Sequence, residues 1–414
     1  MQSVLIFGRQ PEIGLAEIES LYGADKITQL HPQAAVIDVD PCLLTFDRLG
    51  GAVKFCKLLT ALETTDWTKI LTFLTQTGPT HSETMPPGKM HLGISVIGMR
   101  DISPQRIQAS GLTLKKAIQK TGRTVRLVPN NESELSTAQV IYNKLTSANG
   151  WELVIIRSGQ KTYITQTIKT QDINAYARRD RERPKRDSRV GMLPPKLAQI
   201  LVNLGSGILS EAHMQSICEI PVDAPVPRPD LQRTVLDPFC GTGVVLQEAL
   251  LDGYHVYGTD LEPRMIEYTE ANLAWLREQH QFHEVSQTLA AVDATHARWA
   301  GTIDFIASEV YLGRPFTSEP TPEVLAQTVS DCNRIISLFL KNIRPQLKPG
   351  ARLCLAVPAW QIRPNTFRHL PLVDQIRELG YNQVRFEHVS ESLIYYRSDQ
   401  IVARELLVLT KISE

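Results

Sequence analysis

The stretch LDPFCGTG, Leu236–Gly243, closes an apolar strand-like run that begins at Thr234 and opens a helix over Gly243–Leu251. Gly241 and Gly243 remove the Cβ atoms that would keep a ligand from the backbone at the strand's carboxyl end. The next apolar strand, His255–Asp260, ends in an acidic residue, nineteen positions beyond Gly241. An acidic side chain there can accept hydrogen bonds from ribose hydroxyls. A dinucleotide site would want a third glycine at position 246, which is Leu246, and an ATP-binding loop would want Gly-Lys-Ser/Thr, which is absent. The expected ligand is therefore a nucleoside without a phosphate tail.

S-adenosylmethionine fits that description. Outward from the stretch, strands are predicted at Gln287–Asp293, Ile303–Ser308, Ala351–Val357, Gln383–Val389 and Glu405–Thr410, with helices at Pro263–Leu276 and Pro322–Ile343. Strand–helix alternation of this kind predicts a doubly wound sheet of about seven strands.

The N-terminal half alternates more loosely. Strands are predicted at Val4–Gly8, Ala34–Val39 and Ala52–Leu59, and a helix at Pro11–Tyr22, with Pro11 in its first turn and Gly23 as its C-cap. A second α/β pattern follows. It has helices at Trp67–Thr75, Pro104–Lys120 and Ser136–Leu145, strands at His91–Gly98 and Thr124–Val128, and a hairpin of Trp151–Arg157 with Thr162–Ile168.

The chain has 414 residues with 44 basic and 44 acidic side chains, so its formal charge is zero. At roughly 150 residues per domain, two or three domains are expected. Hydrophobic content of 43% and charged content of 21% exclude a disordered chain, a collagen and a coiled-coil rod. A neutral total excludes nucleic-acid binding by bulk charge but leaves a local basic patch open. Cys42, Cys56, Cys218, Cys240, Cys332 and Cys354 form no C-x-x-C pair. They suit neither a disulfide scaffold nor a zinc site, and a reducing, cytoplasmic compartment fits best. No signal peptide or membrane-spanning run is evident.

Asp237–Leu273, DPFCGTGVVLQEALLDGYHVYGTDLEPRMIEYTEANL, resembles the S-adenosylmethionine site of RNA guanine-N2 methyltransferases. The likeness is to the THUMP-containing tRNA enzymes that modify guanosine 10. GMLPPKLAQILVNL, Gly191–Leu204, is similar to their entry into the catalytic domain, and LIFGRQPEIGLAEIESLYG with the region to Lys169 resembles their ferredoxin-like and THUMP modules. The resemblance implies an α/β chain: ferredoxin-like over 1–64, THUMP-like and RNA-binding over 65–169, a basic linker over 170–195, and a Rossmann-like methyltransferase domain over 196–414. It implies S-adenosyl-L-methionine as cofactor and tRNA as partner. Asp237, Gly241 and Gly243 would surround the methionine part, Asp260 the ribose and Asp293 the adenine, with Phe239, Leu261 and Ala294 also binding the cofactor. Asp293 could equally cap a strand-to-helix turn.

The family's target-amine motif, Asp/Asn-Pro-Pro-Tyr, falls at SEVYLG, Ser308–Gly313, which has Glu309 in the acidic position, no prolines, and Tyr311 one place early. Glu309 and Tyr311 are the catalytic candidates: an acceptor for an exocyclic amine and an aromatic face for a flipped base. Lys196 could reach the cofactor carboxylate or simply be solvated. Arg178–Arg189, RRDRERPKRDSR, carries a local excess of basic charge, and Arg178, Arg179 and Arg181 could contact RNA phosphates. The alternative is a solvated linker whose charges satisfy one another. A DNA amino-methyltransferase acting on adenine N6 or cytosine N4, and a non-catalytic RNA-binding protein on the same fold, remain as other readings.

Overall fold

The computed structural model describes residues 2–41, 43–187, 193–209, 233–280, 285–316, 318–390, 392–397 and 400–412. Cys42, Cys218, Arg189 and the Gly191–Met192 start of the entry segment lie outside the described residues. Two compact units are present. The first comprises Met1–Pro11, Asp25–Asp47 and Ala52–Ile173, and the second Glu12–Ala24, Arg48–Gly51 and Asn174–Glu414.

The first unit is built on one eight-stranded sheet. Its strands are β1 (Ser3–Phe7), β2 (Ile27–His31), β3 (Ala34–Ile37), β4 (Ala52–Leu62), β5 (Met90–Ile97), β6 (Val125–Leu127), β7 (Gly150–Ser158) and β8 (Lys161–Thr170), in the order β2-β3-β1-β4-β8-β7-β5-β6. The antiparallel pairing of β4 with β8, from Lys54 opposite Thr170 to Leu62 opposite Thr162, carries the sheet straight across the division expected at residue 64. A buried cluster fastens that seam: Lys54 donates to Glu152 Oε1 at 2.5 Å, and Glu152 also accepts from Ser95 and Thr167.

Helix α1 (Pro11–Tyr22) has the expected bounds, yet from Glu12 on it groups with the second unit, where Ile13 and Ala16 join the core of Leu197, Leu201 and Val245. Helix α2 runs over Trp67–Glu83, eight residues beyond the expected Thr75, and passes through Pro79. Helices α3 (Pro104–Gln119) and α4 (Thr137–Tyr142) complete this region, the latter opened by a Ser136–Gln139 capping box.

In the second unit, helices α5 (Ile173–Arg181), α6 (Pro195–Ser206), α7 (Val244–Leu251), α8 (Pro263–Gln279) and α9 (Pro322–Ile343) accompany a mixed sheet with a parallel half and an antiparallel half. Its main strands are β9 (Thr234–Asp237), β10 (His255–Asp260), β11 (Gln287–Ala291), β12 (Phe305–Glu309) and β13 (Arg352–Arg363). They are followed by β14 (Thr366–Arg368), β15 (Tyr381–Gln383), β16 (Ile394–Tyr395) and β17 (Val402–Lys411). The order β11-β10-β9-β12-β13-β17-β15 reverses direction of travel at β9, so the carboxyl ends of β9 and β12 flank the switch point where such sheets bind ligands. The strand expected over Gln383–Val389 is only its first residue, Gln383, preceded by Tyr381 and Asn382. The amides of Glu387 and His388 donate instead to the Glu19 carboxylate, at 2.5 and 3.0 Å, which draws that segment off the sheet.

Candidate functional site

The carboxyl ends of β9, β10, β11 and β12 open on one cavity of about 720 Å³, within the range of small-molecule sites. Asp237, Phe239, Gly241, Asp260, Leu261, Asp293, Ala294, Glu309 and Tyr311 all line it. Residues from four separate strands, chosen for their motifs, thus meet in one place. Gly243 is the exception. Its φ of +82° makes it the left-handed N-cap of α7, and a Cβ there would fall 2.8 Å from Thr269 Cγ2. Its missing side chain lets α8 approach, so its role is packing and not ligand contact.

Asp237 is the most constrained acid of the cavity, at 1% exposure. Its Oδ1 accepts from the Ser308 hydroxyl at 2.6 Å and the Phe239 amide at 3.2 Å, and Oδ2 has no donor among the described residues. Burial first, then the charges of Asp260 and Glu309, push its pKa up to about 7, against the Ser308 and Phe239 hydrogen bonds. Burial thus favours the neutral carboxyl, and a cation placed beside Oδ2 would favour the ionised form.

Asp260 accepts from Gly241 N–H at 2.9 Å through Oδ2 and from Glu262 N–H at 3.0 Å through Oδ1. These bonds draw the glycine turn (Gly241 φ +52°) against the end of β10 and fix the carboxylate at the cavity wall. Burial lifts its pKa, opposed by those two amides. Asp293 caps the turn after β11 and also faces the cavity. Its Oδ1 accepts from the Thr295 amide at 2.8 Å and hydroxyl at 2.7 Å, which holds its pKa below the usual range. Leu261 exposes an apolar face, 66% accessible, between Asp260 and the cavity mouth.

At the opposite end Glu309 terminates β12. Its Oε1 accepts from Arg404 Nε at 2.5 Å, both side chains being largely buried. Glu309 pairs with Ala356 of β13, and Arg404 of β17 pairs with Pro358, so the two reach each other diagonally over that strand. Oε2 has no donor among the described residues. Tyr311 follows at 39% exposure. Ser308 and Arg404 were not legible as site residues: Ser308 stood in the quoted motif without a partner in view, and Arg404 lies 95 positions away.

Lys196 is neither solvated nor at the cavity. It is largely buried, its pKa pushed down to about 8 by burial, with the Glu17 charge opposing. Of the three expected RNA-binding arginines, none lines the cavity, and Arg179 is committed elsewhere. Its guanidinium makes a two-pronged ion pair with fully buried Glu248, at 2.7 and 3.1 Å, and stacks 4.6 Å from the Tyr176 ring centroid. Arg178, Arg179 and Arg181 sit in the last turn of α5 and not in an extended linker. Arg179 thus serves packing, because removing it would leave a buried carboxylate alone.

Comparisons with known proteins agree with this geometry. Residues 230–397 match a family model described as a methyltransferase domain. A tRNA (guanine(10)-N2)-dimethyltransferase of Methanothermobacter thermautotrophicus is 29% identical over 169 residues, which span 41% of this chain and 39% of that relative. Among solved structures, TrmN from Thermus thermophilus is similar over the full length of both chains, with 17% identity and a TM-score of 0.51. A putative methyltransferase, SMU.472, complexed with SAH, has 10% identity and a TM-score of 0.51, covering 100% of this chain and 98% of that one. Residues 230–397 thus match a methyltransferase-domain model, and these solved structures share the fold of the chain.

Proposed function

We propose that the chain methylates an exocyclic amine of a nucleic-acid base, namely guanine N2 in tRNA, with guanosine 10 as the target position. The cofactor is S-adenosylmethionine, which supplies an electrophilic methyl group on a sulfonium. The observation that carries the reading is the single cavity joining the Asp237–Asp260–Asp293 wall to Glu309 and Tyr311. The relative from Methanothermobacter supports the choice of guanine and of tRNA.

The residues present fit the cofactor. The open Oδ2 of Asp237 can accept from the ammonium group of the methionine moiety. Asp260 keeps unused lone pairs on both oxygens for ribose hydroxyls, and Leu261 offers an apolar face to adenine. At the other end, an aromatic amine is a weak nucleophile because its lone pair is delocalised into the ring. Glu309 Oε2 accepts one amine N–H and turns the lone pair toward the methyl carbon, while Arg404 fixes the carboxylate through Oε1. Tyr311 stacks on the extruded base, a contact worth about 1–3 kcal/mol. As the N–C bond forms and the C–S bond breaks, the amine proton leaves toward Glu309 Oε2 and solvent.

The first unit would serve as the RNA-holding module. The test is methyl transfer from labelled cofactor to unmodified tRNA and to duplex DNA of matched length. Label in tRNA alone supports the reading. Label in DNA alone replaces it with an adenine N6 or cytosine N4 activity, and label in neither overturns it.

A further inference from the structure

Three arginines line the reaction cavity and a fourth, Arg404, stands behind its Glu309, and the four fall into two kinds. Arg264, at the nucleoside end, pairs with Asp187 at 3.0 Å, and Arg404 is bound to Glu309. Arg314 and Arg334 both line the cavity beside Glu309 and Tyr311, and neither has an ion pair or hydrogen bond among the described residues. Arginine unpaired on a concave wall is an anion site in waiting, since its planar fork matches phosphate oxygens two at a time.

The two line the same cavity from separate elements, Arg314 from the loop after β12 and Arg334 from α9. Gly313 has φ +89°, and a Cβ there would lie 2.5 Å from Thr328 Cγ2 and 3.3 Å from Cys332 Sγ. The loop after β12 is thus pressed onto α9 between Thr328 and Cys332. Arg314 follows Gly313 directly, and Arg334 lies two residues beyond Cys332 on the same helix. The Arg314 charge also acts on the Tyr311 phenol. Positive charge therefore gathers where the target base would enter, while Asp237, Asp260 and Asp293 hold the nucleoside end.

We infer that Arg314 and Arg334 form a phosphate clamp that grips the phosphodiester of the target nucleotide, so that the substrate is a base within a strand and not a free base or nucleoside. This rests on the amine-methyltransferase reading above and adds to it which atoms of the strand are held at the site. A free nucleobase has nothing for two unpaired guanidinium groups to hold. A nucleotide flipped onto Tyr311 brings its own phosphate to the cavity rim.

The test is binding of unmodified tRNA across a salt series, in the presence of S-adenosylhomocysteine, by the parent, by Arg314→Gln/Arg334→Gln and by Arg314→Lys/Arg334→Lys. At about 0.7–0.9 per phosphate contact, the glutamine pair should flatten the slope of log affinity against log salt by about 1.4–1.8. Affinity at low salt should fall on the order of tenfold. The lysine pair should keep most of the slope, because the charge remains. A thermal shift with S-adenosylhomocysteine equal to the parent's verifies that the glutamine pair is folded. An unchanged slope in that folded protein overturns the clamp, and so does a parent that binds no tRNA at all. A flattened slope with no methyl transfer by the parent supports the clamp and overturns the proposed reaction, so the two failures are separable.

Discussion

The two ends of the cavity are assembled in different ways. The nucleoside end comes largely from one unbroken run, Asp237 to Leu261, in which strand, glycine turn, helix and strand follow one another. Its acids are held mainly by backbone amides of the same run, Gly241 and Glu262 for Asp260 and Phe239 for Asp237, with the Ser308 hydroxyl of β12 added on Asp237. The target end draws Glu309 from β12, Arg404 from β17, Arg314 from a loop and Arg334 from α9. Bonds within one run supply most of the first end, and pairing across the sheet supplies the second. The two ends should accordingly fail in different measurements.

The largest effect is expected at Glu309. Glu309→Ala should lower single-turnover methyl transfer by about 100- to 1000-fold, the usual loss for a positioned group that acts in the transition state, with cofactor affinity within about twofold. Glu309→Gln retains an acceptor oxygen but weakens the link to Arg404, and should fall between. Equal losses of rate and cofactor affinity would erase the distinction between the ends.

Next come the acids of the nucleoside end. Asp260→Ala removes charge-assisted hydrogen bonds of about 1.5–3 kcal/mol, so calorimetry should show cofactor affinity weaker by about 10- to 150-fold. Saturating cofactor should restore most of the single-turnover rate.

A smaller effect belongs to pH. Burial lifts Asp237 from 3.8 to about 7, so the stability lent by its protonated form is complete below about pH 4 and is lost as pH rises through 7. A cationic ligand needs the ionised form. Cofactor affinity should therefore rise by about tenfold per pH unit up to pH 7 and then level off, and Asp237→Asn should abolish that slope. Glu17 and Glu248 also titrate near 7, but neither lines the cavity, so affinity and not stability isolates Asp237.

The smallest effect on affinity is expected at Gly243. Gly243→Ala places a side chain at φ +82° and against Thr269, costing about 1–2 kcal/mol of stability. Its cofactor affinity should match the parent's once the protein is folded. A large loss of affinity would return Gly243 to the ligand.

What was legible follows the same division. LDPFCGTG and Asp260 announced their site because strand, turn and next strand are contiguous, and local sequence sets local geometry there. SEVYLG announced a position without its partners, since no pattern near Glu309 points to Arg404. Gln383–Val389 reads as a strand by its alternation, but the Glu19 carboxylate takes its amides. The helix expected to end at Thr75 runs on through Pro79 to Glu83. The Arg178–Arg181 run reads as free positive charge until Glu248, 69 residues from Arg179, is brought against it. The strand and the arginine run were both decided by a group distant in sequence.

The most direct test of an amine held by Glu309 is the identity of the methylated nucleoside. Unmodified tRNA should be incubated with the protein and labelled cofactor, digested to nucleosides and separated by mass spectrometry. Label in N2-methylguanosine, and its absence with Glu309→Ala, is the expected result. Label in a ribose 2′-O-methyl or a carbon-methylated pyrimidine, neither of which needs an amine acceptor, would contradict it.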